Sequence, residues 1–141
     1  MKRKDLIVEK EIEVRFSEVD SMNIVWHGSY MQYFEDAREE FGRKYKLGYQ
    51  DIYNNGFYAP LVDISFQYKQ PIFYGEKVKV IIKYVYKESS KIVFEYIIKD
   101  SEGNIRTTGI STQVFLDMDY KLLWYKPEYY TDWQNKTLVY D

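Results

Sequence analysis

The sequence predicts an α+β domain, an antiparallel sheet packed on one long helix, and three observations carry that prediction. One strongly amphipathic helical stretch follows the first strand-like segment. Four later segments alternate apolar and polar residues with period two. Short polar loops join the last three of them as hairpins, and a single helix can cover only one face of the sheet they form.

The opening strand is read from Glu11 to Phe16, with Ile12, Val14 and Phe16 on one face and Glu11, Glu13 and Arg15 on the other. A polar loop from Ser17 follows. Ser29 and Gln32 then have the spacing of a capping box. Tyr30, Tyr33, Phe34, Ala37, Phe41 and Tyr45 recur at helical spacing as one apolar stripe. Glu35 and Asp36 lie early in this helix and Arg43, Lys44 and Lys46 late, which suits the helix dipole. Glu39–Arg43 and Glu40–Lys44 are favourable pairs on its exposed side, and Gly48 suits its stop. Tyr49 to Asn55 reads as a short helical turn. Strands are then expected around Val62–Tyr68, Val78–Tyr86, Ile92–Ile98 and Ile105–Leu116, with a turn at Pro71–Glu76 and hairpin loops at Lys87–Ser90 and Asp100–Asn104. The tail from Asp117 is aromatic and irregular, and Pro127 is placed to open a short helix.

The chain of 141 residues is expected to be a single domain, with a core over about 8–117 and an aromatic tail over 118–141. A net charge of −2 argues against wholesale nucleic-acid binding, which needs a basic excess. The absence of cysteine removes disulfides, thiolate metal sites and a cysteine nucleophile, and one histidine leaves no multi-histidine metal site. No apolar run reaches membrane-spanning length, and the basic start lacks the apolar core of a signal peptide, so a cytoplasmic protein without membrane contact is expected. Aromatic residues make up 19% of the chain, which suits pockets or subunit contacts.

The segment Phe16-x-x-x-Asp20-x-x-x-Ile24-Val25-Trp26-His27-x-x-Tyr30-x-x-Tyr33-Phe34-Glu35, in this order of elements, resembles the hotdog-fold acyl-CoA thioesterases of the 4-hydroxybenzoyl-CoA thioesterase family. Pro71-Ile72-Phe73-Tyr74-Gly75-Glu76 is a weaker echo of the same pattern. The resemblance implies a sheet curled around a central helix, subunits joined edge to edge as a homodimer or homotetramer, and active sites at the subunit interface. It implies an acyl-CoA substrate, with coenzyme A as part of that substrate and neither cofactor nor metal. It assigns catalysis to Asp20, as nucleophile or as general base, and to the region of His27, whose backbone N–H at the helix start would polarise the thioester carbonyl. Trp26 and Tyr30 are read as pocket residues in contact with substrate, and Phe57, Tyr58 and Pro60 as walls of the acyl pocket reaching it from the neighbouring subunit. The resemblance places coenzyme phosphate contacts at Lys91, with Lys87 a neighbour, in a hairpin where Ser89 and Ser90 replace an expected arginine pair. Asn23 stands where the family commonly has Gly and Ser29 where it commonly has Asn; Asn tolerates positive φ, and Ser caps helices as Asn does.

Each residue also has a plainer reading. Asp20 can serve an Asx turn alone. His27 can simply bond to backbone, Trp26 and Tyr30 can be core, and Phe57 and Tyr58 can be loop packing. Glu35 is read as structural and Glu18 as solvated. The alternatives at the level of function are a thioesterase acting on acyl-carrier protein and a non-catalytic acyl-CoA binding domain.

Overall fold

A computed structural model of the chain describes residues 3–139; the terminal residues of the expected domain, Met1, Lys2, Tyr140 and Asp141, lie outside them. The elements run β1 (Ile7–Glu13), α1 (Ser29–Tyr45), α2 (Tyr49–Asn54), β2 (Leu61–Tyr68), β3 (Lys77–Val85), β4 (Lys91–Lys99), β5 (Ile105–Val114) and α3 (Glu128–Thr137). The five strands form one sheet in the order β1-β3-β4-β5-β2, with every neighbour antiparallel. β3, β4 and β5 follow one another through the two expected hairpins. β2 is carried across the sheet to pair with β5, so β1 and β2 are its edges.

The α1 stripe fills the inner face of this sheet. Tyr30, Tyr33, Phe34, Ala37 and Phe41 are buried against Val80, Ile82 and Tyr84 of β3 and Phe94, Tyr96 and Ile98 of β4. Phe34 stacks on Tyr96 with ring centroids 4.4 Å apart, and Phe41 meets Phe94 edge-on at 4.9 Å. Each such aromatic stabilises the fold by about 1.5–3 kcal/mol through burial alone. Gly109 of β5 lets the helix come this close: a Cβ there would lie 2.9 Å from the Phe34 ring and 3.1 Å from the Ser65 carbonyl oxygen.

Several local expectations are corrected. The first strand lies earlier than Glu11–Phe16, because Val14 leaves β1 to exchange backbone bonds with the 75–76 turn (Val14 N–H to Glu76 O, 2.9 Å; Gly75 N–H to Val14 O, 3.1 Å). Phe16 consequently falls in a 3₁₀ turn, Phe16–Glu18, with 74% of its surface exposed. The capping box does not form: Gly28 is the N-cap, and the Ser29 hydroxyl donates to the Glu18 carbonyl oxygen at 3.0 Å. Arg43 takes both Glu39 (2.9 Å) and Glu40 (2.6 Å), leaving Lys44 over the Tyr45 ring. Lys46, with φ 58°, makes the left-handed stop of α1, and Gly48 caps the start of α2.

The tail returns to the core. Tyr130 and Trp133 of α3 are buried beside Tyr84 and Phe115, and the Trp133 indole N–H donates to the Tyr45 carbonyl oxygen at 2.7 Å. The Tyr130 hydroxyl donates to the Lys91 carbonyl oxygen at 2.9 Å, tying α3 to the β3–β4 hairpin. No helix among the described residues is long and apolar enough to cross a membrane.

Candidate active site

Between the 3₁₀ turn and α1 the chain folds into a tight loop built on Asp20. Its Oδ1 accepts the Met22 N–H at 2.8 Å and the Ile24 N–H at 3.3 Å, while its own N–H donates to the Ile24 carbonyl oxygen at 2.8 Å. This is the Asx turn that Asp favours. Asp20 is half-buried, and Oδ2 accepts from no described residue. Asn23 takes φ 67°, a left-handed conformation that Asn adopts more readily than most residues.

The loop is held on both sides. Behind it, the Val25 N–H donates to Ile72 O at 2.7 Å and the Tyr74 N–H to Asn23 O at 3.1 Å. At its base, the Glu18 carbonyl oxygen accepts both the Trp26 N–H (2.9 Å) and the Ser29 hydroxyl (3.0 Å). The Glu18 side chain is not the solvated group expected. It is partly buried, and Oε1 accepts the Arg15 N–H at 2.8 Å and the Tyr33 hydroxyl at 3.0 Å. Burial, reinforced by the Glu18 charge, raises the Tyr33 phenol far above its ordinary range. Local periodicity gives no signal for this role, since the pair is 15 residues apart.

His27 and Gly28 stand at the start of α1, and their backbone N–H groups donate to no described residue. The positive end of the helix dipole adds to these free donors, so an oxyanion is favoured here. The His27 ring is exposed and lies against Trp26 at 4.8 Å. Trp26, 51% exposed, folds over Gly28 so closely that a Cβ would fall 2.0 Å from its ring. Tyr30 is buried, in edge contact with Tyr68 at 4.9 Å, and burial raises its phenol.

Asp20, Trp26 and His27 thus share one loop, with Tyr30 directly beneath it in the helix. Phe57, Tyr58 and Lys91 do not join them within one protomer. Leu61 of β2 pairs with Gln113 and Tyr68 with Thr107, so Phe57 and Tyr58, which lead into β2, sit at the far end of the strand from Tyr68 and Tyr30. Phe57 packs edge-on against Phe115, and Tyr58 stacks on Tyr120 at 5.1 Å. The neighbouring Tyr120 phenol pushes Tyr58 up to about 12. Lys91, exposed, pairs with Val114 at that same far end. Lys126, unforeseen, reaches the β3–β4 hairpin, its ammonium donating to the Lys87 carbonyl oxygen (3.1 Å) and to Gln134 Oε1 (2.7 Å). Only the fold brings it there, since it is 39 residues from Lys87.

A cavity of about 560 Å³ lies between α1, α2 and the start of β2, lined by Arg38, Leu47, Ile52, Ala59 and Gln113 among others. Another, of about 610 Å³, lies between β1 and α1 and reaches Glu18, Asp36 and Tyr74. Neither is lined by Asp20 or His27. Among the described residues, no group of three His, Cys, Asp or Glu side chains is arranged to hold a metal ion.

Residues 14–133 match the family described as the thioesterase-like superfamily. A Bacillus subtilis (strain 168) protein provisionally named acyl-CoA thioesterase YneP is 39% identical over 74 residues, 52% of this chain and 54% of that protein. The chain spans about half the length of the curated relatives it matches. Among solved structures, the DHNA-CoA thioesterase from Staphylococcus aureus superposes with a TM-score of 0.80 at 33% identity, covering 92% of this chain and 87% of its own. A 1,4-dihydroxy-2-naphthoyl-CoA thioesterase from Synechocystis has the same fold, with a TM-score of 0.79 at 18% identity over 92% of this chain and 96% of that one.

Proposed function

The chain belongs to the thioesterase-like superfamily, and from that premise we propose that it hydrolyses an acyl-CoA to the free carboxylic acid and coenzyme A. One observation carries the reading: a half-buried carboxylate, with one oxygen uncommitted, in a loop that leads to free N–H groups at a helix N-terminus.

In this reading the thioester oxygen sits against the His27 or Gly28 N–H, where charge developing on it is stabilised in place. Asp20 then either attacks the carbonyl carbon, giving an anhydride that water opens, or takes a proton from the water that attacks. Either way a C–O bond forms, the C–S bond breaks and the sulfur leaves as thiolate. That leaving group is stable enough to need no strong general acid, in keeping with the few titratable side chains nearby. His27 and Trp26 contact the substrate at the mouth, and Tyr30 supports the helix start. No cofactor enters this proposal, and a cytoplasmic setting remains part of it.

Phe57, Tyr58 and Lys91 enter through a second subunit. Val62 and Tyr68 of β2 are 57% and 53% exposed, whereas β1 presents Glu9, Glu11 and Glu13 at the other edge. A free strand edge with exposed apolar side chains favours pairing, and charged side chains oppose it. Antiparallel pairing of two β2 strands about a two-fold axis lays the start of one against the end of the other. Phe57 and Tyr58 of the partner subunit then approach Tyr68, Tyr30 and the Asp20 loop, walling an acyl site, and Lys91 is free to meet the coenzyme phosphates.

Thiol release from a panel of acyl-CoAs tests the proposal, with 1,4-dihydroxy-2-naphthoyl-CoA as its aromatic member. Asp20→Asn is expected to lower kcat by about 10²- to 10⁴-fold. Equal rates for the two proteins would remove Asp20 from the mechanism. Faster turnover of the same acyl group on carrier protein would favour that substrate, and tight acyl-CoA binding without hydrolysis would favour a binding domain.

A further inference from the structure

Among the described residues Arg106 is the one charged residue that is buried, at 7% exposure. It lies on β5 beside Thr107, and its guanidinium is nearly saturated. Nη1 donates to Glu76 Oε1 and to Asp100 Oδ2, each at 3.0 Å, and Nη2 donates to Glu76 Oε2 at 2.9 Å and to the Pro71 carbonyl oxygen. The Arg106 carbonyl oxygen accepts the Lys69 and Gln70 N–H groups at 3.0 and 3.1 Å. A buried ion cluster of this kind adds little stability over apolar packing of equal volume, since desolvation offsets the attraction. What the planar fork does supply is geometry, because two parallel bonds to a carboxylate fix its position and orientation.

The segment so fixed is 69–76. Glu76 Oε2 also accepts the Phe73 N–H at 2.7 Å, closing the turn on itself. The same segment is the backbone partner of the Asp20 loop, through Val25 N–H to Ile72 O and Tyr74 N–H to Asn23 O. We propose that Arg106 is a positioning residue for the Asp20 carboxylate, acting through the 71–76 segment that backs residues 23–25. Its kinetic consequence rests on the thioesterase reading, where a displacement of about 1 Å in a reacting group costs on the order of 10²-fold.

The test compares Arg106→Gln and Arg106→Lys with Arg43→Gln, which removes only exposed pairs on α1. It measures kcat and KM for thiol release, and hydrogen exchange at the Val25 and Tyr74 amides. Arg106→Gln is expected to lower kcat about 10- to 100-fold with KM within about twofold. It should also speed exchange at those two amides while β3 and β4 stay protected. Arg106→Lys should fall between, since one ammonium cannot reproduce the fork, and Arg43→Gln should match the wild type. Unchanged kcat in a folded Arg106→Gln protein, even with a lower melting temperature, overturns the proposal. If that variant does not fold, Glu76→Gln is measured by the same criteria and decides. A wild type that releases no thiol counts against the thioesterase reading alone. Exchange then decides: acceleration at Val25 and Tyr74 supports the positioning role, and unaltered exchange overturns it.

Discussion

Asp20 makes the Asx turn of its plainer reading, and that turn leaves one carboxylate oxygen free for the role we propose for it. The structural role and the proposed one therefore do not compete. Asn23 was readable in the sequence as a residue able to hold a positive φ, because that tolerance is intrinsic to its side chain. Glu18 was not readable, because its partner Tyr33 comes within reach only after α1 docks. A further residue-scale prediction concerns Asp100. The Asn104 N–H, together with the Arg106 guanidinium, holds its carboxyl below the ordinary carboxylate range. A folded-state value below the unfolded one means that its contribution to stability is complete above about pH 4 and is lost as pH falls through the folded value. Melting curves from pH 7 to pH 2 should show Asp100→Asn losing stability at neutral pH and converging on the wild type in acid.

At the scale of elements, α1 was legible almost in full, since its stripe has the period of a helix and nothing in the fold overrides it. The cap expected at Ser29 does not form, because Ser29 is the first residue inside the helix and its hydroxyl donates to the Glu18 carbonyl oxygen. The first strand ends before the alternation does: the pattern continues through Val14 and Phe16, but the backbone of Val14 is claimed by the 75–76 turn. The contact of α1 with β5 gives the prediction at this scale. Gly109→Ala puts a methyl against Phe34 and the Ser65 carbonyl, and overpacking of this kind costs about 1–3 kcal/mol. Urea denaturation should show a lower midpoint with an unchanged slope.

For the whole molecule, the free edge of β2 matters most. Within one protomer the Asp20 loop and the Phe57–Tyr58 segment lie at opposite ends of β2, and the proposed two-fold pairing of β2 edges would bring them together. Val62→Lys places a charge on that edge. Sedimentation should show the assembly dissociating, and thiol release should fall with it, while the melting temperature of the isolated subunit changes little. The same variant remaining dimeric and fully active would dissociate β2 from assembly.

By itself the sequence determined the class of fold, the long helix, the hairpins and the carboxylate loop. Each of these depends on side-chain periodicity or on conformational preferences local to a few residues. Only the tertiary structure decided that β2 crosses to pair with β5, that Tyr130 and Trp133 of the tail complete the core, and that Arg106 stands behind the segment supporting Asp20. Those features join residues tens of positions apart through burial and charge pairing, and such partners leave no periodic trace along the chain.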